Sequence, residues 1–121
     1  MKKAILVLLI SFVAAHVAEC ALAAQSLAEE FARCSAFNEI AAACAQNGTR
    51  EQQEQAAKYQ NAAKSFYRGG HRLAGQEFMR NRRQVHDTAM RRRAGATCEG
   101  FPALEQQHQK RCDDNAGRLP R

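Results

Sequence analysis

LAEEFARCSAFNEIAAACA, residues 27–45, repeats apolar side chains with the period of an α-helix. The repeated positions are Leu27, Phe31, Cys34, Phe37, Ala41 and Cys44. At about 100° per residue these side chains point to one side, which is typical of a helix packed along one face. Ser26 and Glu29 have the spacing of a capping box at its start, and Asn47-Gly48 predicts its end.

Signals for three further helices follow, and strand signals are nearly absent. Thr49-Arg50-Glu51-Gln52 forms a second capping box, and Gly69-Gly70 predicts the end of the second helix. A third helix is predicted from about His71 to Arg93. Its expected inward side chains are Ala74, Phe78, Val85 and Ala89. Pro102 suits the first turn of a fourth helix. The face expected to be shared on that helix consists of Leu104, His108, Cys112 and Ala116.

The first 24 residues have the three-part layout of a cleavable secretory signal. Lys2-Lys3 forms a positive start, an apolar run extends from Ala4 to Ala15, and small residues cluster at Ala21-Leu22-Ala23-Ala24. A membrane-spanning helix needs about 18 or more apolar residues, and His16 and Glu19 interrupt this run. We therefore predict a signal peptide that is cleaved within the small-residue cluster.

Cysteine counting supports export independently. The chain has five cysteines, at positions 20, 34, 44, 98 and 112. Removal of residues 1–24 leaves four, and an even number in a small exported domain is typical of disulfides. We therefore predict that residues 25–121 form a single helical domain, periplasmic or secreted, with no stable membrane span after cleavage.

Short loops between successive helices favour an all-α, up-down-up-down four-helix bundle. The start of the first helix then lies beside the end of the fourth, which predicts the disulfides Cys34–Cys112 and Cys44–Cys98. A local bridge, within either neighbouring pair of cysteines, is the alternative. Ten residues of continuous helix separate Cys34 from Cys44 by about 15 Å, whereas bridged Cα atoms lie about 4.4–6.8 Å apart. A Cys34–Cys44 bridge therefore requires the first helix to break.

Positive charge is concentrated between Lys64 and Arg93. This segment carries nine Lys and Arg against Glu77 and Asp87, a net charge of +7, whereas the rest of residues 25–121 carries −2. Uneven charge of this kind favours an anionic partner, and arginine suits bidentate contact with carboxylate and phosphate. The predicted binding residues are Arg72, Arg80, Arg82, Arg83, Arg91, Arg92 and Arg93. Arg80 and Arg83 lie outside the predicted inner face, so we expect their charge reversal to leave the fold intact.

The leading functional prediction is a small exported binding protein that uses this arginine-rich helix on an acidic protein partner, as an inhibitor or immunity-type module. The alternatives are a binder of anionic envelope polymers or lipid phosphates, and a small metal-binding protein. No catalytic motif or cofactor signature is present, so the sequence does not predict an enzyme. The candidate metal ligands match no zinc spacing; they are Cys34, Cys44, Cys98, Cys112 and His108. Only Phe66, Tyr67 and Phe78 lie close to the cations, whereas nucleic-acid binding would normally show aromatics interleaved with them, so a nucleic-acid partner is not predicted.

Overall fold

A computed structural model describes the backbone of residues 2–121 and the side chains of residues 13–121. The described chain is all helical, with α1 (Lys2–Gln46), α2 (Arg50–Ala74), α3 (Gln76–Ala94) and α4 (Phe101–Ala116). Two disulfides connect α1 to the C-terminal part of the chain. The helical bundle with two disulfides that the sequence predicts is confirmed.

α1 is the central helix, because it packs against α2, α3 and α4. Phe31 and Phe37 on its inner face are fully buried. The Phe31 ring lies 5.6 Å from the Phe66 ring of α2, and the Phe37 ring stacks at 6.0 Å on Phe101 of α4. Burial of a side chain of this size contributes about 1.5–3 kcal/mol. The apolar face of residues 27–45 is therefore the core around which the other helices assemble.

Both disulfides have the nested pairing that the helix order predicts. Cys34 bonds Cys112 of α4 with a Cα–Cα distance of 5.4 Å, and Cys44 bonds Cys98, just before α4, at 5.8 Å. The first bridge is buried, whereas both cysteines of the second are partly exposed. The bridges hold α4 against α1 near both ends of their contact.

α1 is continuous through the point where the first helix was expected to begin. The residues before Ser26 belong to the same helix, and Glu29 contacts Arg82 and His86 of α3. The predicted helix start at Ser26 is therefore wrong.

The expected signal peptide falls partly outside the described side chains, since these begin at residue 13. Lys2-Lys3 and most of the run Ala4–Ala15 lie outside them, and cleavage at the small-residue cluster stays a prediction. The side chains of residues 13–23 are exposed, and the first buried residue is Ala28. None of the described helices combines the length and hydropathy needed to cross a membrane.

The capping box at Thr49 forms as predicted. The Gln52 backbone N–H donates to Thr49 Oγ1 at 3.3 Å, and the Thr49 backbone N–H donates to Gln52 Oε1 at 2.8 Å. These reciprocal bonds satisfy backbone donors that the first turn of a helix otherwise leaves unpaired. They explain why α2 starts only a few residues after α1 ends.

Gly69 and Gly70 lie inside α2 and do not end it. The helix continues for another turn, and the chain bends at Gly75, where φ is +90°. A Cβ atom on Gly69 would lie 2.8 Å from Leu119 Cδ2, and one on Gly70 would lie 2.2 Å from Met79 Sδ. The predicted boundary between the second and third helices is therefore wrong, because this glycine pair makes room for close packing.

The inner face of α3 differs from the predicted apolar stripe. Val85 is 51% exposed and Ala89 is exposed, so the prediction is wrong at both positions. Two other members of that stripe are half-buried: Ala74 and Phe78. The buried side chains of α3 are Met79, Met90 and Ala94. Polar side chains that contact α1 lie between them in the sequence: Arg82, Arg83 and His86. Because charged residues occupy the middle of this face, its apolar periodicity is broken.

α4 presents its expected face to the bundle, with one difference. Leu104, His108 and Cys112 are buried as predicted, but Ala116 is exposed and Asn115 is buried in its place. The Asn115 side chain donates to a Glu30 carboxylate oxygen of α1 at 3.4 Å. In the last turn of α4, Asn115 and not Ala116 therefore faces the bundle.

Candidate binding surface

Only some of the seven predicted binding arginines have guanidinium groups that make no contact with other described side chains. Four of them make contacts within the protein: Arg82 with Glu29, Arg83 with Glu39, Arg91 with Asp87, and Arg93 with Gln107. The other three are exposed and form no ion pair with any described side chain: Arg72, Arg80 and Arg92. The arginine-rich face is thus divided between internal contacts and cations that are open to a partner.

Arg82 and His86 anchor α3 to Glu29 of α1. Arg82 donates from Nε to Glu29 Oε2 at 2.7 Å and from Nη2 to Oε1 at 2.8 Å, while His86 Nε2 lies 2.7 Å from Oε1. The Arg82 hydrogen bonds lower the pKa of Glu29 from 4.5 to about 2; partial burial opposes this shift, and the His86 contact adds to it. This bidentate pair between two helices is a structural contact, so Arg82 is not open to a partner.

Arg83 makes a second contact with α1. Its guanidinium bonds the Glu39 carboxylate and lies over the Tyr67 ring of α2, 5.1 Å from the ring centroid. Such a cation–π contact contributes about 0.5–1 kcal/mol at an exposed site. The prediction that Arg83 lies outside the inner face is therefore wrong, and its charge reversal is expected to disturb α1, α2 and α3 together.

α2 and α3 enclose an open cleft of about 250 Å³ beside Arg83, which we call the cationic cleft. Its lining consists of Glu39, Ala63, Lys64, Tyr67, Arg68 and Arg83. Lys64 and Arg68 are exposed on successive turns of α2, and neither has an acidic partner among the residues described. Three cations therefore surround a single carboxylate, which leaves the cleft with net positive charge.

Lys64 and Arg68 belong to the basic segment but are not among the predicted binding residues, which all lie in the predicted third helix. A different signal identifies them. Residues 55–76 contain Lys58, Lys64, Arg68 and Arg72 but no Asp or Glu. Helical ion pairs need an opposite charge three or four positions away; Lys64, Arg68 and Arg72 have none, whereas Lys58 has Glu54 four positions before it. By contrast, Arg91 has Asp87 four positions before it and pairs with it at 2.7 Å.

The described part of the chain contains no group of three His, Cys, Asp or Glu side chains placed to hold a metal ion. Cys112, one turn from His108, is bonded to Cys34, so its sulfur is not available as a thiolate ligand. His108 is buried, with its ring centroid 5.8 Å from that of Phe37. Burial lowers the pKa of His108 below its usual 6.5, and nearby arginines act in the same direction.

We expect the protein to lose stability as the pH falls below 6.5, because burial in the folded chain lowers the pKa of His108 below its usual 6.5. The unfolded chain binds a proton at His108 near pH 6.5, and the folded chain binds it only at lower pH. The free energy of unfolding therefore decreases as the pH falls through this window. His108→Gln is expected to flatten the dependence of Tm on pH, measured by circular dichroism. His71→Gln, at an exposed histidine, is the control, and equal slopes for wild type and His108→Gln would contradict the prediction.

Comparisons with protein-family models, with curated proteins and with solved structures found no match to this chain.

Proposed function

We propose that this protein is exported, loses residues 1–24, and acts as a small non-enzymatic binding protein for an acidic protein partner, in the manner of an inhibitor or immunity-type module. The observation that carries the proposal is the cationic cleft, where Lys64 and Arg68 stand exposed and without acidic partners beside Arg83. The site lies between α2 and α3, so it includes α2 residues as well as the arginines of α3.

Export is supported by the two disulfides together with the layout of residues 1–24. Disulfides persist in oxidising compartments and are rare in the cytosol. Residues 13–23 are exposed, and burial begins only at Ala28. Cleavage after Ala23 or Ala24 would therefore remove no buried side chain among the residues described.

An acidic partner is supported by the way charge is used in the bundle. The acids that face α3 already bind its inner arginines, as Glu29 does with Arg82 and Glu39 with Arg83. Lys64, by contrast, lies on an acid-free stretch of α2. Like charges at helical spacing cost a few tenths of a kcal/mol, and carboxylates from a partner would remove that cost.

A protein partner is favoured over a flexible polymer because the cleft has a shape. Its cations stand next to Tyr67 and Ala63, which supply an aromatic and a small apolar wall. Specific interfaces combine such apolar and aromatic contacts with a few placed charges, and tyrosine and arginine are enriched among their strongest contacts. An anionic polymer would need only the charge.

The proposal predicts that the double reversal Lys64→Glu/Arg68→Glu abolishes binding of the acidic partner while the protein stays folded. Both side chains are exposed, so the free energy of unfolding is expected to change by no more than about 0.5 kcal/mol. The measurement is quantitative capture from envelope extracts on the immobilised protein at low salt, with mass spectrometry of the bound proteins.

The matched control is Lys58→Glu/Arg118→Glu, which changes the net charge equally at two exposed cations outside the cleft. A partner that the cleft variant retains undiminished refutes the proposal. Equal loss in both variants indicates attraction by net charge alone, as expected for an anionic polymer or lipid phosphates.

A further inference from the structure

The cationic cleft is one end of a longer groove that runs along α1, with α2 beside its first part and α3 along its whole length. A second cleft of about 520 Å³ shares Glu39, Ala63 and Lys64 with it and extends to Arg91. A third, of about 330 Å³, shares Ala43 and Arg91 with the second. The three clefts therefore follow one another along α1 toward the turn that ends α3.

Small side chains of α1 and α2 form the floor of this groove. Ala42 and Ala43 of α1 line its middle together with Ala63 of α2. The Ser35 hydroxyl of α1 donates to the Ala63 carbonyl oxygen at 2.9 Å, which fixes α2 on α1 at this point. Because the floor is held by interhelix contacts, the groove is present before any partner binds.

The length of the groove suits a short extended segment. Arg83 and Gly95 bound it on the α3 side, and twelve residues of helix span about 18 Å. An extended chain of five or six residues covers this distance at about 3.3 Å per residue. A helix of the same length would occupy roughly 1,400 Å³, taken as a cylinder 10 Å across, which exceeds the volume of the three clefts taken together.

Side-chain amides stand where the backbone of such a segment would lie. Gln46 and Gln60 line the middle cleft, both are exposed, and neither is hydrogen-bonded within the described structure. An amide side chain both donates and accepts hydrogen bonds, so it can bond the N–H and C=O groups of an extended backbone.

Charge is graded along the groove. Lys64, Arg68 and Arg83 stand at one end, whereas the other end, beside the Cys44–Cys98 bridge, is lined mainly by small or apolar groups and by Arg91, whose charge is paired with Asp87. Glu39 lies between Lys64 and Arg83 and bonds Arg83. A carboxylate that enters the cationic end must therefore compete with Glu39 for the Arg83 guanidinium.

We infer that this groove along α1 binds an extended acidic peptide segment of about five residues, and that Glu39 is an internal competitor for its carboxylates. The peptide carboxylates contact Lys64, Arg68 and Arg83 at one end. Its backbone passes Gln46 and Gln60, and a small or apolar residue meets the disulfide end. This inference rests on the proposed function and adds the location, the conformation of the bound segment, and the residue that limits its affinity.

Steric blocking of the groove is the first test. Ala43→Phe fills the shared wall of two clefts without changing charge, and Ala89→Phe adds the same group on the exposed side of α3. The probe is a fluorescein-labelled hexaglutamate peptide at low salt, with hexaglutamine as the uncharged comparison, followed by fluorescence anisotropy. Ala43→Phe is expected to weaken binding at least tenfold, and Ala89→Phe is expected to bind like wild type.

Removal of the competitor is the second test, and it does not depend on how Ala43→Phe folds. Glu39→Gln releases Arg83 and removes a like charge, so the hexaglutamate peptide is expected to bind about threefold to tenfold more tightly. Glu105→Gln on α4 makes the same change in net charge away from the groove, and little effect on affinity is expected.

The outcomes separate this inference from the proposed function. One outcome overturns the groove and leaves the cationic surface as the site. In it, both Ala43→Phe and Glu39→Gln bind with wild-type affinity, while Lys64→Glu/Arg68→Glu loses binding. Unchanged binding in the double reversal overturns both. Vesicles of anionic phospholipid are added at the same concentration of negative charge as the peptide. If they displace the peptide, the ligand is a lipid and the peptide assignment is overturned.

Discussion

Removal of the Cys34–Cys112 disulfide by the double replacement Cys34→Ala/Cys112→Ala is expected to lower the free energy of unfolding by about 3–4 kcal/mol. Because the remaining Cys44–Cys98 bridge already joins the chain inside it, the Cys34–Cys112 bridge closes an effective loop of only about 25 residues, for which the chain-entropy treatment gives about 3–4 kcal/mol. Both cysteines are buried, so the substituted side chains gain no contacts with water that would offset the loss of the bond. For a domain of this size, the loss corresponds to a decrease in Tm of roughly 15–30 °C.

Thermal unfolding followed by circular dichroism checks this expectation. Asn61→Ala/Gln84→Ala is the control, because both side chains are exposed and neither is hydrogen-bonded within the described structure. We expect its Tm to equal that of the wild type. A cysteine double variant that loses less than about 1 kcal/mol would show that the helix contacts alone hold α4 on α1.

The second large effect concerns which side of α3 faces the core. Met79→Ala is expected to cost about 2–5 kcal/mol, because Met79 is fully buried and packs over Gly70 of α2. Val85→Ala removes apolar atoms from a side chain that is 51% exposed and is expected to change stability by less than about 0.5 kcal/mol. Urea unfolding of the two variants measures both values.

The two positions discriminate between alternative rotations of α3. The apolar stripe expected from sequence contains Val85 and not Met79, so it predicts the opposite order of effects. A larger loss for Val85→Ala than for Met79→Ala would restore that stripe and contradict the packing described above.

The fold could be predicted from sequence because its main determinants are local or follow from simple geometry. The apolar period of residues 27–45 and the Thr49 capping box depend on neighbouring residues alone. The disulfide pairing followed from helix order, since a continuous first helix cannot place Cys34 and Cys44 within bonding distance. Each of these arguments uses only spacing along the chain.

The details of α2 and α3 could not be predicted in the same way, because they depend on tertiary contacts. Local signals predict a helix end at Gly69 and Gly70. Glycine is required there instead because Met79 and Leu119 approach the backbone closely. The inner face of α3 includes Arg82, which is directed toward α1 by its ion pair with Glu29, 53 positions earlier in the sequence. A pattern search that treats arginine as solvent-facing places such a residue on the wrong side.

The candidate site was predicted only in part for the same reason. Net charge located the basic segment, but sequence alone did not show which cations already have acidic partners. Arg83 pairs with Glu39 through a long-range contact, whereas Lys64 and Arg68 remain unpaired. The acid-free run of residues 55–76 was the available signal for the α2 cations.

The uninterrupted length of α1 controls the order in which thiols can react while the chain is being oxidised. Cys20, Cys34 and Cys44 are synthesised before Cys98 and Cys112, so early in synthesis they are the only thiols available to one another. Intervals of fourteen and ten residues separate them, which correspond to about 21 and 15 Å along a helix. Helix formation takes about a microsecond, whereas disulfide formation takes seconds or longer. While α1 is helical, Cys34 and Cys44 are held too far apart to bond each other, so both thiols remain available for Cys112 and Cys98, which are synthesised last.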